Sequence, residues 1–157
     1  MSSANKSSDR GAAVSFPPPL VYLGLLLTGF AIERFVALPR IGLPWPVGAL
    51  IAASGLALAA IAIGLFRGHG ENPEPWTPTN AIVDTGIYGW TRNPMYLGMA
   101  IVHLGLALAF DSVAALALLP VAMMIIQTQV IAREERYLRE KFGASYTDYC
   151  ARVRRWL

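Results

Sequence analysis

The chain has 157 residues, of which 55% are hydrophobic and only 15% charged, with a mean hydropathy of +0.46; a water-soluble domain carries about 25% charged residues. Composition therefore points to a bilayer, and the length excludes a large multi-domain transporter in one chain. The lone Cys150 excludes an intramolecular disulfide framework or a cysteine-rich metal centre, so no metal is expected. A net charge of +3 would suit nucleic acid, but the basic residues flank apolar runs. Anionic lipid and topology account for them there, and no nucleic-acid partner is expected.

Residues 1–16 are rich in Ser, Ala, Asn and Gly and read as a poorly ordered tail, ahead of a single membrane domain over 17–157. Pro17, Pro18 and Pro19 stiffen the start of the first apolar run, 20–38. That run lies behind a polar stretch and ends in Glu33, Arg34 and Phe35 without a small-residue cleavage pattern, so it reads as a retained helix and not a signal peptide. Pro39, Gly42, Pro44 and Pro46 enforce a short irregular turn before the second run, 46–66. The connection from Arg67 to Asn93 is long and holds Pro73, Pro75 and Pro78; loops of this length tend to be functional. The third and fourth runs, 94–110 and 112–132, are separated only by Asp111 and its neighbours and must form an antiparallel hairpin.

Each run is near the ~20 residues that a helix rising ~1.5 Å per residue needs to cross a ~30 Å hydrocarbon core. None shows the alternation of a barrel strand. The expected architecture is all-α: an integral membrane bundle of four transmembrane helices with a C-terminal cytosolic helical segment. Four spans place Lys6, Arg10, Arg67, Arg92, Arg133, Arg136, Arg139, Lys141, Arg152, Arg154 and Arg155 on one side and Arg40 alone on the other. The positive-inside rule makes the first side, with both termini and the long loop, cytoplasmic.

Two polar segments meet at that face: Thr85 to Gly98, which leads into the third helix with Pro94 in its first turn, and Arg133 to Gly143, which leaves the fourth. Because those helices form a tight hairpin, Arg92, Asn93 and Tyr96 must lie near Glu134 and Glu135. The run Gly86-Ile87-Tyr88, then Arg92-Asn93-Pro94-Met95-Tyr96-Leu97-Gly98, then Glu134-Glu135 and Phe142-Gly143 with Tyr146, Tyr149 and Val153, resembles the isoprenylcysteine carboxyl methyltransferase and phospholipid methyltransferase superfamily. Asn72-Pro73 and Pro78-Thr79 are similar to its short bacterial members. The resemblance covers roughly residues 67–157, and it lies in the ordered combination of motifs. It implies an integral membrane enzyme that uses S-adenosyl-L-methionine, held by residues of 67–98 and 133–157: Tyr88, Arg92, Asn93, Tyr96, Leu97, Gly98, Glu134 and Glu135. Arg92, Glu134 and Glu135 are the catalytic candidates. The eukaryotic carboxyl methyltransferases tend to have Arg-His-Pro where this chain has Arg92-Asn93-Pro94, and Asn93 cannot titrate, so a histidine base there is excluded.

The same residues suit the cofactor chemically. A sulfonium cation, a carboxylate, a ribose diol and an adenine each need a partner in a membrane pocket, or several kcal/mol of desolvation go uncompensated. Arg92 can fork onto the carboxylate, Glu134 or Glu135 can accept from ribose hydroxyls or the amino group, and Tyr88 and Tyr96 offer aromatic faces. No strand with a glycine fingerprint of the Rossmann type is present.

The acceptor is expected to be a small lipophilic molecule or lipid-tailed group, with an isoprenylcysteine-like carboxylate ahead of an aminophospholipid, because the loops leave little soluble mass to recognise a protein. The sequence leaves oligomeric state open. Two alternatives stand beside this reading: an NADPH-dependent sterol-type membrane reductase, whose C-terminal pattern is similar, and a non-catalytic lipid-binding or assembly protein. Glu33 and Arg34 read as structural, His103 as an interhelical hydrogen bond, and Gln127 as either a pocket floor or a helix contact.

Overall fold

Proline sets where three of the helices begin. In the computed structural model, which describes residues 11–157, α1 (Pro18–Glu33), α2 (Trp45–Gly68) and α3 (Pro94–Ala109) each carry proline in the first turn, where its missing N–H costs nothing. α4 (Val113–Ile126) starts differently: the Ser112 hydroxyl accepts the Ala115 N–H at 3.1 Å. It continues without a break through a π-turn (Gln127–Ile131) into α5 (Ala132–Phe142). Gly143, at φ 53°, takes the left-handed turn that redirects the chain into α6 (Ala144–Arg152). The all-α expectation holds: among the described residues the one extended pairing is an isolated bridge between Thr91 and Arg154.

α2 and the continuous helix Val113–Phe142 are long and apolar enough to cross a membrane. In α2 only 17% of the most apolar window is buried, and Leu50, Leu56 and Ile61 are exposed. A soluble core helix would hide such residues; lipid is the medium that covers these. α1 and α3 are apolar but have 16 residues each, ~24 Å at helical rise. Two helices therefore reach spanning length where four were expected. The first run stops at Glu33, five residues short of Leu38, because the Glu33 carboxylate turns to accept the Ala114 N–H at 2.9 Å at the start of α4, and Pro39 follows. The apolar part of the fourth run ends near Ala132, and α5 beyond it is a charged helix outside the apolar stretch.

Of the tail expected over 1–16, residues 1–10 lie outside the described residues. Residues 11–16 depart from the expectation. Ala12 and Val14 are buried, the Ala12 N–H donates to the Pro75 carbonyl at 3.1 Å, and Phe16 packs on the same core as Tyr22, Tyr96 and Ile126. Small apolar side chains on a polar-looking stretch supply the contact that its composition hides.

α3 is central and packs on α1, α2 and α4. Its closest approach is to α2, through small residues: Gly48, Ala52, Gly55 and Ala59 of α2 face Gly98, Val102, Gly105 and Ala109 of α3. With lipid on both sides there is little hydrophobic drive between helices, so close backbone contact supplies the attraction. The hairpin turn at the far end uses Asp111 at φ 56°, a conformation that aspartate tolerates. Its Oδ1 accepts the Ile41 and Gly42 N–H groups at 2.7 and 2.9 Å, tying the α1–α2 turn to the hairpin. Those N–H bonds and Arg40 hold its carboxyl below the usual range.

A side chain at Gly55 would come within 2.6 Å of the Gly98 carbonyl oxygen, a backbone atom that cannot move away cheaply. Gly55→Leu should cost about 1–3 kcal/mol by overpacking, whereas Leu56→Ala on the exposed face should leave stability nearly unchanged. Thermal unfolding followed by circular dichroism in matched detergent checks the pair.

Candidate functional site

The hairpin brings the start of α3 against α5, as its connectivity requires. Tyr96, in the first turn of α3, donates its hydroxyl to Glu134 Oε1 at 2.7 Å, and Arg92 Nη2 donates to Glu135 Oε1 at 3.0 Å. α5 and α6 then carry the chain back over the loop ahead of α3. Tyr149 of α6 donates to the Tyr88 carbonyl at 2.8 Å, and the Tyr88 hydroxyl reaches the Ala62 carbonyl of α2 at 3.3 Å. Between these elements and the 72–83 loop lies an open-mouthed cleft with a cavity volume of about 110 Å³.

The last residues of the chain close the back of this cleft. The Arg92 N–H donates to the Arg154 carbonyl at 2.9 Å. The Arg155 carbonyl accepts from Asn93 Nδ2 at 2.9 Å and from Thr91 Oγ1 at 3.2 Å, and Trp156 Nε1 donates to Gln127 Oε1 at 2.9 Å in the π-turn. The Arg155 guanidinium donates to both carboxylate oxygens of Glu135, Nε to Oε1 at 2.9 Å and Nη2 to Oε2 at 2.7 Å. Glu135 is thus held between two arginines, with 9% of its side chain exposed.

Of the residues singled out in the sequence, Tyr88, Arg92, Asn93, Tyr96, Glu134 and Glu135 line the cleft. Leu97 and Gly98 do not. Gly98 faces α2, where an added side chain would strike Gly55 and Ala59, so it packs the two helices together. Arg92 is also less available than expected: besides Glu135 it donates to the carbonyls of Cys150 (3.1 Å) and Val153 (3.0 Å), which leaves its Nε buried without an acceptor among the described residues. The Asn93 amide is engaged by Arg155. Gln127 meets Trp156, and His103 donates from Nε2 to the Ala115 carbonyl at 2.9 Å, an interhelical bond. Arg155 was missed as a site residue. It lies in a basic C-terminal run that reads as a topology signal, and nothing in its spacing shows that the segment folds back.

The two adjacent glutamates have opposite environments. Burial pushes the Glu134 carboxyl up to about 7, the neighbouring Glu135 charge adds to this, and the Tyr96 hydroxyl opposes it. For Glu135 burial works in the same upward direction, but Arg155 and Arg92 outweigh it and hold the carboxyl below its usual range.

Glu135→Ala would leave both arginines without their carboxylate and should cost about 3–5 kcal/mol, the penalty for breaking a buried pair. The sign of the pH effect follows from the lowered folded value. The contribution of Glu135 is present above the unfolded value of ~4.3 and is lost as pH falls through the folded one. Unfolding measured against pH should show an acid limb in the parent that is shallower in Glu135→Ala.

Residues 47–145 match the family described as phospholipid methyltransferase. A stretch of 74 residues is 32% identical to the protein-S-isoprenylcysteine O-methyltransferase of Saccharomyces cerevisiae, covering 47% of this chain and 31% of that enzyme. A further 64 residues' match, 44% identical, covers 40% of this chain and the whole of an uncharacterized protein of Haemophilus influenzae. No solved structure matches the chain. The chain spans about a third of the yeast enzyme's length. With the family match extending over well more than half of its residues, this membrane protein belongs to the phospholipid methyltransferase family.

Proposed function

We propose that the protein is a membrane methyltransferase that takes its methyl group from S-adenosyl-L-methionine and delivers it to a small lipophilic or lipid-tailed acceptor. Glu134 carries the reading. It is a carboxylate on the cleft wall whose partner is a tyrosine hydroxyl and which, among the described residues, has no cation. A ligand cation answers such a group, and the cofactor offers a sulfonium and an ammonium. The charged residues on the cleft wall are Glu74, Glu134, Glu135 and Arg92; Arg92 gives its terminal nitrogens to Glu135 and two carbonyls, and with Arg155 also on Glu135 from behind, the ionised Glu74 and Glu134 leave one net negative charge. An anionic dinucleotide would meet this excess of negative charge, which disfavours the reductase alternative.

The remaining polar parts of the cofactor also find partners. The Arg92 Nε–H is a buried donor in want of an acceptor, suited to a carboxylate. Tyr88 and Tyr96 present aromatic faces at which a cation gains further attraction. When bound, the cofactor supplies an electrophilic methyl group. The protein's own residues bind, align and exclude water, and alignment alone can remove many kcal/mol of a barrier between two reactants. Tyr96 keeps Glu134 pointed along the wall, and Glu134 in its ionised form pairs with whichever reactant brings the cation.

The 74-residue likeness to the yeast enzyme favours an isoprenylcysteine-like carboxylate as acceptor, while the acidic cleft favours an amine. An amine arrives as a cation and gives up a proton, which Glu134 is poised to take. With α1 and α3 also crossing, each a ~24 Å helix with the bilayer thinned around it, the basic asymmetry puts both termini and the cleft on the cytosolic side. Reporter fusions at each terminus should both read cytosolic; a C-terminus on the other side would overturn that orientation.

Calorimetry of the purified protein should show binding of S-adenosyl-L-methionine and none of NADPH. Affinity should rise as pH increases through about 7, because deprotonation creates the charge that the ligand cation meets. Glu134→Gln should weaken binding about tenfold or more and flatten that dependence. Binding of NADPH instead, or equal binding by the variant at every pH, would defeat the reading. Methyl-labelled cofactor offered with farnesylated cysteine and phosphatidylethanolamine side by side then identifies the acceptor class; turnover confined to a tail-less soluble acceptor would remove the lipophilic assignment.

A further inference from the structure

Two adjacent glutamates on one cleft wall need not act alike, and what separates them is a residue at the far end of the chain. Arg155 meets both oxygens of Glu135, at 2.9 and 2.7 Å, and its own carbonyl is pinned by Asn93 and Thr91. It is therefore fixed at the backbone and at the guanidinium together. Glu135 has its remaining bond to Arg92, at 3.0 Å. Glu134, one residue earlier and so rotated by about 100° around the helix, is out of reach of this pairing and faces Tyr96 instead.

We propose that Arg155 is a positioning residue for the cofactor site: it immobilises Glu135 on the back of the cleft and adds a positive charge there, which leaves Glu134, of the two adjacent glutamates, as the carboxylate that meets the ligand and sets how readily it ionises. The role of Glu134 toward the cofactor rests on the reading above, whereas the coupling of Arg155 to Glu134 stands apart from it. The titratable and charged groups around Glu134 are Tyr96 from α3, Tyr88 from the turn at Gly86–Gly89, Glu74 from the loop after α2, Tyr146 and Tyr149 from α6, Glu135 and Tyr137 on α5 itself, and Arg92 and Arg155 behind Glu135. With both arginines present, the cluster behind Glu134 carries one net positive charge. Removing Arg155 brings it to zero, and Glu135 is then held from one side and free to turn into the cleft. Both changes make ionising Glu134 harder.

The substitution Arg155→Gln should therefore raise the pH at which Glu134 ionises by about one unit, the usual effect of a neighbouring charge. Infrared difference titration of the carboxyl band in nanodiscs reads this without any ligand, with Glu134→Gln identifying the band. Cofactor affinity of Arg155→Gln, measured by calorimetry, should fall about fivefold at pH 7 and recover to near the parent value at pH 9, the pattern expected when a midpoint near 7 moves up by one unit. Arg155→Lys, which keeps the charge but makes a single bond in place of two, should fall between. A residue that merely supported the fold would lower affinity by the same factor at every pH. An unmoved infrared midpoint overturns the proposal. A shifted midpoint in a protein that binds no S-adenosyl-L-methionine keeps the coupling and overturns the cofactor reading, so the two failures are told apart.

Discussion

Glu135 sits where three separate stretches of chain meet: the loop ahead of α3 brings Arg92, α5 brings the glutamate, and the C-terminal segment brings Arg155. A buried ion cluster of this kind seldom adds net stability over a well-packed apolar one, because the desolvation it requires offsets most of its attraction. What it provides is geometry. A guanidinium that meets both carboxylate oxygens tolerates little displacement, so the last residues of the chain are fixed in register on the start of α3. The Arg92 N–H, Thr91 and Asn93 then find carbonyl partners on those same residues. Without the cluster these bonds would rest on the Trp156–Gln127 contact and the buried Val153, since the segment beyond α6 makes no helix and the Thr91–Arg154 pairing is a single bridge.

The rest of the molecule is arranged to keep that junction still. α2 and α3 touch through glycine and alanine along much of their length, and Ala62 near the end of α2 accepts the Tyr88 hydroxyl, so the helix pair reaches into the cleft wall. At the opposite end Glu33 and Asp111 satisfy backbone N–H groups of neighbouring elements. Charged side chains at that end therefore complete the scaffold, which explains why two acidic residues beside apolar helices mark no second site. Polar chemistry left over by the scaffold is confined to one face.

Connectivity made much of this legible in the sequence. A one-residue gap between apolar runs forces a hairpin, and the hairpin forces Arg92 and Tyr96 against Glu134 and Glu135; no side-chain detail is needed for that step. The positions of Pro18, Pro46 and Pro94 likewise mark helix starts by a local rule. What could not be read were partners decided by tertiary return of the chain. Arg155 looks like any interfacial arginine until α6 turns back. Arg92 looks free until the carbonyls of Cys150 and Val153 arrive. Gly98 sits inside a motif run, yet its neighbour is α2, and the spacing of small residues on two helices says that they pack without saying which glycine also faces a ligand. The early end of α1 was hidden for the same reason, because apolar residues continue to Leu38 while the Glu33 carboxylate is committed to α4.

The pair Glu134-Glu135 is symmetric as written and asymmetric as folded, and helix geometry is the cause. Successive residues of a helix diverge by about 100°, so two acidic neighbours cannot share one partner; one turns toward the returning C-terminal segment and the other toward α3. The first meets two fixed cations and stays charged. The second meets a hydroxyl, a donor that can be satisfied by either protonation state less strongly than a cation would be, and burial then raises its proton affinity toward neutrality. Only the second has charge to offer an incoming ligand. A carboxylate already paired twice would have to break those bonds first, and each charge-assisted bond lost costs about 1.5–3 kcal/mol. The division of labour between adjacent glutamates thus follows from where the chain's last arginine lands.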